Sequence, residues 1–126
     1  MDNAILEKSK AFALRIVNLY RFLITEKQEY VLSKQLLRCG TSIGANCAEG
    51  KRAQSGADFI SKMNIALKEA EETAYWLDLL HETDYLSDAQ FQSISADNEE
   101  LIRLLVSIIK TKKKNSELGS RKRNNS

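Results

Sequence analysis

Seven residues, Phe59, Met63, Ala66, Ala70, Thr73, Leu77 and Leu80, follow one another at strictly alternating intervals of four and three. On an α-helix that spacing sets all seven along one edge, whereas on a strand it would scatter them over both faces. The segment is therefore helical, and an apolar edge of this kind is stable only against other helices that carry one. Ala66 and Ala70 in the middle let such a neighbour come close. Ile60, Leu67 and Ala74 flank the edge, and Ile65, Trp76 and Leu79 carry apolar character further round, so more than one face is expected to be covered. With no proline anywhere in the 126 residues and only five glycines, nothing forces the remaining segments out of helix either.

Three further helices follow from the same periodicity. The first is expected over about Asn3 to Thr25, on Ile5, Ser9, Phe12, Ile16, Leu19 and Leu23, with Ala13, Val17, Tyr20 and Ile24 widening the stripe. A connection at Glu26 to Glu29 leads to a second helix from about Tyr30 to Arg52. After a turn at Lys51 to Gly56, Ser55 and Asp58 have the spacing of a capping box at the head of the third helix, which runs to about His81. Thr83 to Leu86 forms the next turn, and Ser87 with Gln90 is a second capping box. The fourth helix carries Phe91, Ile94, Asn98, Leu101, Leu105 and Ile108, and seven of the nine residues from Leu101 to Ile109 are apolar. Short connections make sequential helices antiparallel, so the expected fold is all-α, an up-down-up-down four-helix bundle over residues 1–112, roughly 35 Å long. Apolar surface beyond what one bundle uses on helices one, three and four points to a homo-oligomer.

The second helix is unusual. Leu36 to Gly50 reads LLRCGTSIGANCAEG, in which Ser42, Asn46 and Glu49 fall on one side while Gly40, Gly44, Ala45 and Ala48 keep the profile low. Each glycine costs about 1 kcal/mol against alanine inside a helix, so another backbone is expected to pass close by. Ser42, Asn46 and Glu49, with Asn98 as the expected partner of Asn46, read as a structural polar network that fixes register or a subunit contact. Gln35, Leu36, Thr41, Ser42, Ile43, Ala45, Asn46, Ala48, Glu49, Gly50 and Arg52, followed by Phe59, Ile60, Ala66, Glu69 and Glu72, resemble the signature of a known family. These are the small four-helix-bundle proteins encoded within intervening sequences of bacterial 23S ribosomal RNA genes, the S23-like proteins. Cys47 stands where that signature has Ile or Val. The resemblance implies a ring, with a pentamer as the family form. The accessory variability determinant proteins of diversity-generating retroelements resemble the same bundle, and that kinship implies basic surfaces that hold nucleic acid.

Charge is distributed unevenly. Residues 110–126 hold seven basic residues and one acid, a net of +6, while residues 1–109 carry a net of −4, which leaves +2 for the chain. From Lys113 onward the sequence has a single apolar residue, Leu118, and is expected to be a disordered basic tail over 113–126. Lys110, Lys112, Lys113, Lys114, Arg121, Lys122 and Arg123 are candidate contacts to RNA or DNA, and Lys34, Arg38, Lys51 and Arg52 form a lesser basic set on the second helix. The plainer account is a solvated terminus whose lysines complement the negative end of helix four. No base-reading motif accompanies the lysines, so binding through them would follow charge and shape rather than sequence. The expected role is a non-enzymatic scaffold that associates with nucleic acid; the alternative is an adaptor that docks a protein partner on its outer helical faces.

Enzymatic chemistry finds little to work with. His81 is the only histidine and has no nucleophile beside it, and an Asp78–His81 pair is half of a di-iron motif whose second half is missing. The bundle-type nuclease pattern needs an arginine four to six residues before a histidine, and Tyr75, Trp76 and Leu77 occupy those positions. No phosphate loop, metal-ligand spacing or cofactor motif is present. Cys39 and Cys47 lie about 12 Å apart on one helix, beyond the reach of a disulfide, and read as packing residues. The N-terminal segment is interrupted by Glu7, Lys8, Lys10 and Arg15, so neither a signal peptide nor a membrane span is expected and the chain reads as cytoplasmic.

Overall fold

The computed structural model describes residues 3–124. Four helices follow in order: α1 over Asn3–Thr25, α2 over Leu32–Lys51, α3 over Gly56–Glu82 and α4 over Asp88–Asn124. Each packs against the next, α4 returns to α1, and the diagonal pairs make no close backbone approach among the described residues, so the cross-section is a square antiparallel bundle. Ile5, Phe12, Ile16 and Leu23 from α1 meet Leu36, Ile43 and Cys47 from α2 in the core, with Met63, Ala66, Ala70, Leu77 and Leu80 from α3 and Ile94, Leu101 and Leu105 from α4. The α3 edge is buried as its spacing requires except at Phe59, which is half-buried. On α4 the last buried residue is Ile109 rather than Ile108.

The glycines of α2 do what their positions imply. A Cβ on Gly40 would lie 2.8 Å from Cγ1 of Ile16, inside the core, and one on Gly44 would lie 3.2 Å from the backbone oxygen of Ser9. The two helices therefore meet almost backbone to backbone near Gly44. By contrast, α1 and α4 are bridged at the surface by long polar side chains. Lys8 Nζ reaches Glu100 at 2.8 Å, and Arg15 donates to Asp97 at 2.5 Å and to Ser93 Oγ at 2.8 Å.

The helix ends near residues 22–34 and 80–90 are closed by the chain's own polar groups. Glu29 is buried, and its carboxylate accepts the N–H groups of Val31 at 3.2 Å, Leu32 at 2.9 Å and Ser33 at 2.6 Å, while Ser33 Oγ donates back to the Glu29 carbonyl at 2.7 Å. This is why α2 starts at Leu32 and not at Tyr30: the exposed pair Tyr30 and Val31 spans the gap to the capping carboxylate. α3 stops at a Schellman turn with Asp84 in the left-handed region (φ 67°), where Tyr85 N–H reaches the Leu80 carbonyl at 2.9 Å and Asp84 N–H the His81 carbonyl at 3.1 Å. The Ser87–Gln90 box is reciprocal, with Gln90 N–H on Ser87 Oγ at 3.1 Å and Ser87 N–H on Gln90 Oε1 at 2.9 Å.

α4 continues as helix to Asn124, whereas from sequence the chain is expected to lose order at residue 113. From Lys110 to Glu117 every side chain is exposed, so this stretch is helix with no buried face. The physical reason is propagation: once the packed part of α4 exists, each added Lys, Glu or Ser fixes one residue and gains one backbone hydrogen bond.

Candidate nucleic-acid interface

The residues singled out from sequence do not all converge. Lys34 lies in the first turn of α2 and Arg38 one turn on, both far along the bundle from Lys51 and Arg52. Arg38 is moreover engaged, its guanidinium pairing with Glu72 and, at 3.4 Å, with Glu69 on α3, while Glu72 also accepts from Trp76 Nε1 at 3.1 Å. A phosphate would have to displace two carboxylates to reach it. Lys51 and Arg52, at the end of α2, are exposed and lie at the same end of the molecule as Lys112. Lys110, Lys113 and Lys114 are exposed on the same stretch of α4, and the side chains of Arg121, Lys122 and Arg123 lie outside the described residues.

Of the four polar residues assigned to one network, Ser42 and Asn46 are linked along α2, while Glu49 and Asn98 stand apart. Ser42 Oγ donates to the Arg38 carbonyl at 2.6 Å and Asn46 Nδ2 to the Ser42 carbonyl at 2.8 Å, both within α2. Glu49 faces solvent and pairs with Lys62 Nζ at 2.9 Å. Asn98 is buried on α4, donates to the Ala70 carbonyl at 3.0 Å and leaves its Oδ1 unpartnered. The expected Asn46–Asn98 contact does not form, because α2 and α4 are diagonal in the square. Short polar side chains on a helix satisfy themselves on the preceding turn, a choice that periodicity does not reveal.

Lys51, Gln54, Phe59, Ser107, Thr111 and Lys112 face one another across a cleft of about 630 Å3, between the α2–α3 turn and α4. Lys112 Nζ lies over the Phe59 ring, 5.6 Å from its centroid. The sequence reading sets Phe59 on the core edge and Lys112 among the candidate nucleic-acid contacts, and does not bring the two together. The available signal was Phe59's place at the very start of its helix, where a core edge runs out. Ser55 caps α3 through a 3.1 Å bond from Asp58 N–H.

Elsewhere the chemistry is quiet. His81 Nε2 pairs with Asp88 at 2.6 Å, not with Asp78, and its ring stacks on Phe91 at 4.2 Å. Among the described residues no group of three His, Cys, Asp or Glu side chains is placed to hold a metal ion, and no helix is long and apolar enough to cross a membrane. Cys39 and Cys47 are both buried, and burial pushes each thiol up to about 11, away from the reactive thiolate.

The fold and this surface define a small antiparallel four-helix bundle with one cationic end. The chain belongs to the family of 23S rRNA-intervening sequence proteins, whose family model matches residues 1–107. It is 60% identical to a protein of unknown function of the S23 ribosomal protein family from Bacteroides thetaiotaomicron, whose crystal structure it matches with a TM-score of 0.86 over 86% of this chain and 97% of that one. No curated protein matches the chain. The family match stops short of Lys110, so the strongly basic stretch of α4 lies beyond it.

Proposed function

We propose that the protein is a cytoplasmic, non-enzymatic scaffold that binds RNA or DNA through its cationic end without reading base sequence. The observation that carries this is the convergence of Lys51 and Arg52 from α2 with Lys112 and its neighbours on α4. These cations come from segments far apart in the chain, and the Lys112 ammonium lies over an aromatic face. Polyphosphate backbones are held by such uncommitted, exposed lysines, with release of counterions as the driving force. Self-association into a homo-oligomer, with the pentamer as the form that the resemblance implies, fits the exposed Leu14, Ile65 and Tyr75 on the outer faces. A ring would carry several cationic ends on one rim and bind a long polyanion with an avidity no single end reaches.

The test is a salt series of binding to mixed-sequence RNA and DNA, with the oligomer mass recorded by light scattering. Three proteins are compared: the full chain, a chain ending at Lys110, and a full chain with Lys112, Lys113 and Lys114 changed to Gln. The proposal expects steep, log-linear loss of affinity with salt for the full chain and weak binding for both altered proteins, all at one oligomer mass. Absence of binding by the full chain at low salt would end it and turn attention to a protein partner on the outer helical faces.

A further inference from the structure

We propose that the cleft between the α2–α3 turn and α4 takes one nucleotide of a single-stranded nucleic acid, its base against Phe59 and its backbone phosphates against Lys51 and Lys112. This rests on the nucleic-acid function proposed above and names the mode of contact. Three features of the cleft carry it. First, it is lined by two lysines and no carboxylate. The groove between α1 and α2 includes Glu49, and the cleft at the opposite end includes Asp84 and Asp88, so an anion is accepted here without a fixed negative charge in the wall. Asp58, beside Phe59 in sequence, is exposed and not part of the lining.

Second, Phe59 is half-buried, packed against the core on one side, and the Lys112 ammonium lies over its ring. A solvent-exposed contact of a lysine with an aromatic face is weak, so the ammonium can move to a phosphate while a base takes its place on the ring. Third, Lys51 and Lys112 line the cleft from two different helices, and the hydroxyls of Ser107 and Thr111 and the amide of Gln54 add donors and acceptors for a sugar or base edge. At about 630 Å3 the cleft is of ligand size. Its ring is recessed between two chain segments, so a base still paired and stacked in a duplex has no face to offer it. Selectivity for single strands follows from that geometry.

The experiment uses the full chain and three ligands: a mixed-sequence single-stranded RNA of about 15 nucleotides, within the usual range of such sites, the same sequence as a duplex, and inorganic polyphosphate as a polyanion without bases. Phe59→Leu keeps an apolar side chain on α3 but removes the aromatic face. It is expected to weaken single-strand binding on the order of fivefold or more, while duplex and polyphosphate binding stay within about twofold. Phe59→Trp should bind the single strand as the parent does, with added fluorescence that is quenched on saturation. Lys112→Gln should weaken all three ligands and reduce the single-strand salt slope by about 0.7. Unchanged single-strand binding by Phe59→Leu, an equal loss for polyphosphate, or unquenched Phe59→Trp emission would each overturn the proposal. If the parent binds nucleic acid and Phe59→Leu is silent, only the stacking site falls; if the parent binds none of the three, the function proposed above falls with it.

Discussion

The two ends of the bundle are assembled from similar parts and end in opposite states. At one end, the polar groups that helix termini leave over are taken up internally: Glu29 holds the N–H groups of Val31 and of the first two residues of α2, Asp84 lets α3 turn back on its own carbonyls, and Ser87 and Gln90 cap α4 reciprocally. At the other end α3 has its Ser55 cap, and the charged side chains around it, Lys51, Arg52 and Lys112, remain exposed. A saturated end holds the fold together and has little left to offer a ligand. An end with uncommitted cations adds little to stability and is free to bind.

Substitutions can break that contrast or sharpen it. The largest effect is expected from Glu29→Ala, which takes the acceptor from three backbone donors, that of Ser33 buried, and should cost about 2 kcal/mol, read from the midpoint of urea unfolding. The same carboxylate gives the contrast a pH signature. Burial works to raise its pKa, but the N–H groups of Leu32, Ser33 and Val31 outweigh it and lower the value below its ordinary 4.5. The unfolded chain then binds the proton more readily than the folded one, so this contribution is complete above about pH 4.5 and is lost as pH falls through the lowered folded value. Glu29→Gln should flatten the unfolding free energy across that acid window, and an unchanged slope would assign the acid sensitivity to another group.

Ser55→Ala, at the open end, removes one cap bond and should cost about 1 kcal/mol. A loss equal to that of Glu29→Ala would erase the distinction between the ends. Smallest is Gln28→Gly. Gln28 sits at φ 52° just after α1, a region where glycine is at ease, and the exchange should raise stability by about 0.5 kcal/mol once the larger entropy of the unfolded glycine is counted. Differential scanning calorimetry would show it as a small rise in Tm. A fall would mean that the Gln28 side chain supports the closed end in some other way.

Much of this architecture is legible in residue spacing. The α1 and α3 edges, the Ser87–Gln90 box and the close approach at Gly44 depend on local periodicity or on the absence of a side chain, both of which are written in the chain itself. The site was far less legible. Glu29 looked like a loop residue, since nothing in a sequence distinguishes an exposed turn glutamate from one folded back onto the next helix. Asn46 and Asn98 each looked like halves of a pair, because period alone does not say which helices are neighbours and which are diagonal. Lys112 and Phe59 are 53 positions apart and meet only because α4 runs back antiparallel along α3 to its start.

Sequence by itself therefore determined the four helices, their antiparallel order and the separation of a mostly acidic body from a basic end, since these follow from apolar period, connection length and charge count. Tertiary structure alone decided which polar groups are spent within the fold and which stay free. Arg38 is held by Glu69 and Glu72 while Lys51 and Lys112 are not, and that depends on distances of a few ångströms between helices, which no one-dimensional pattern contains.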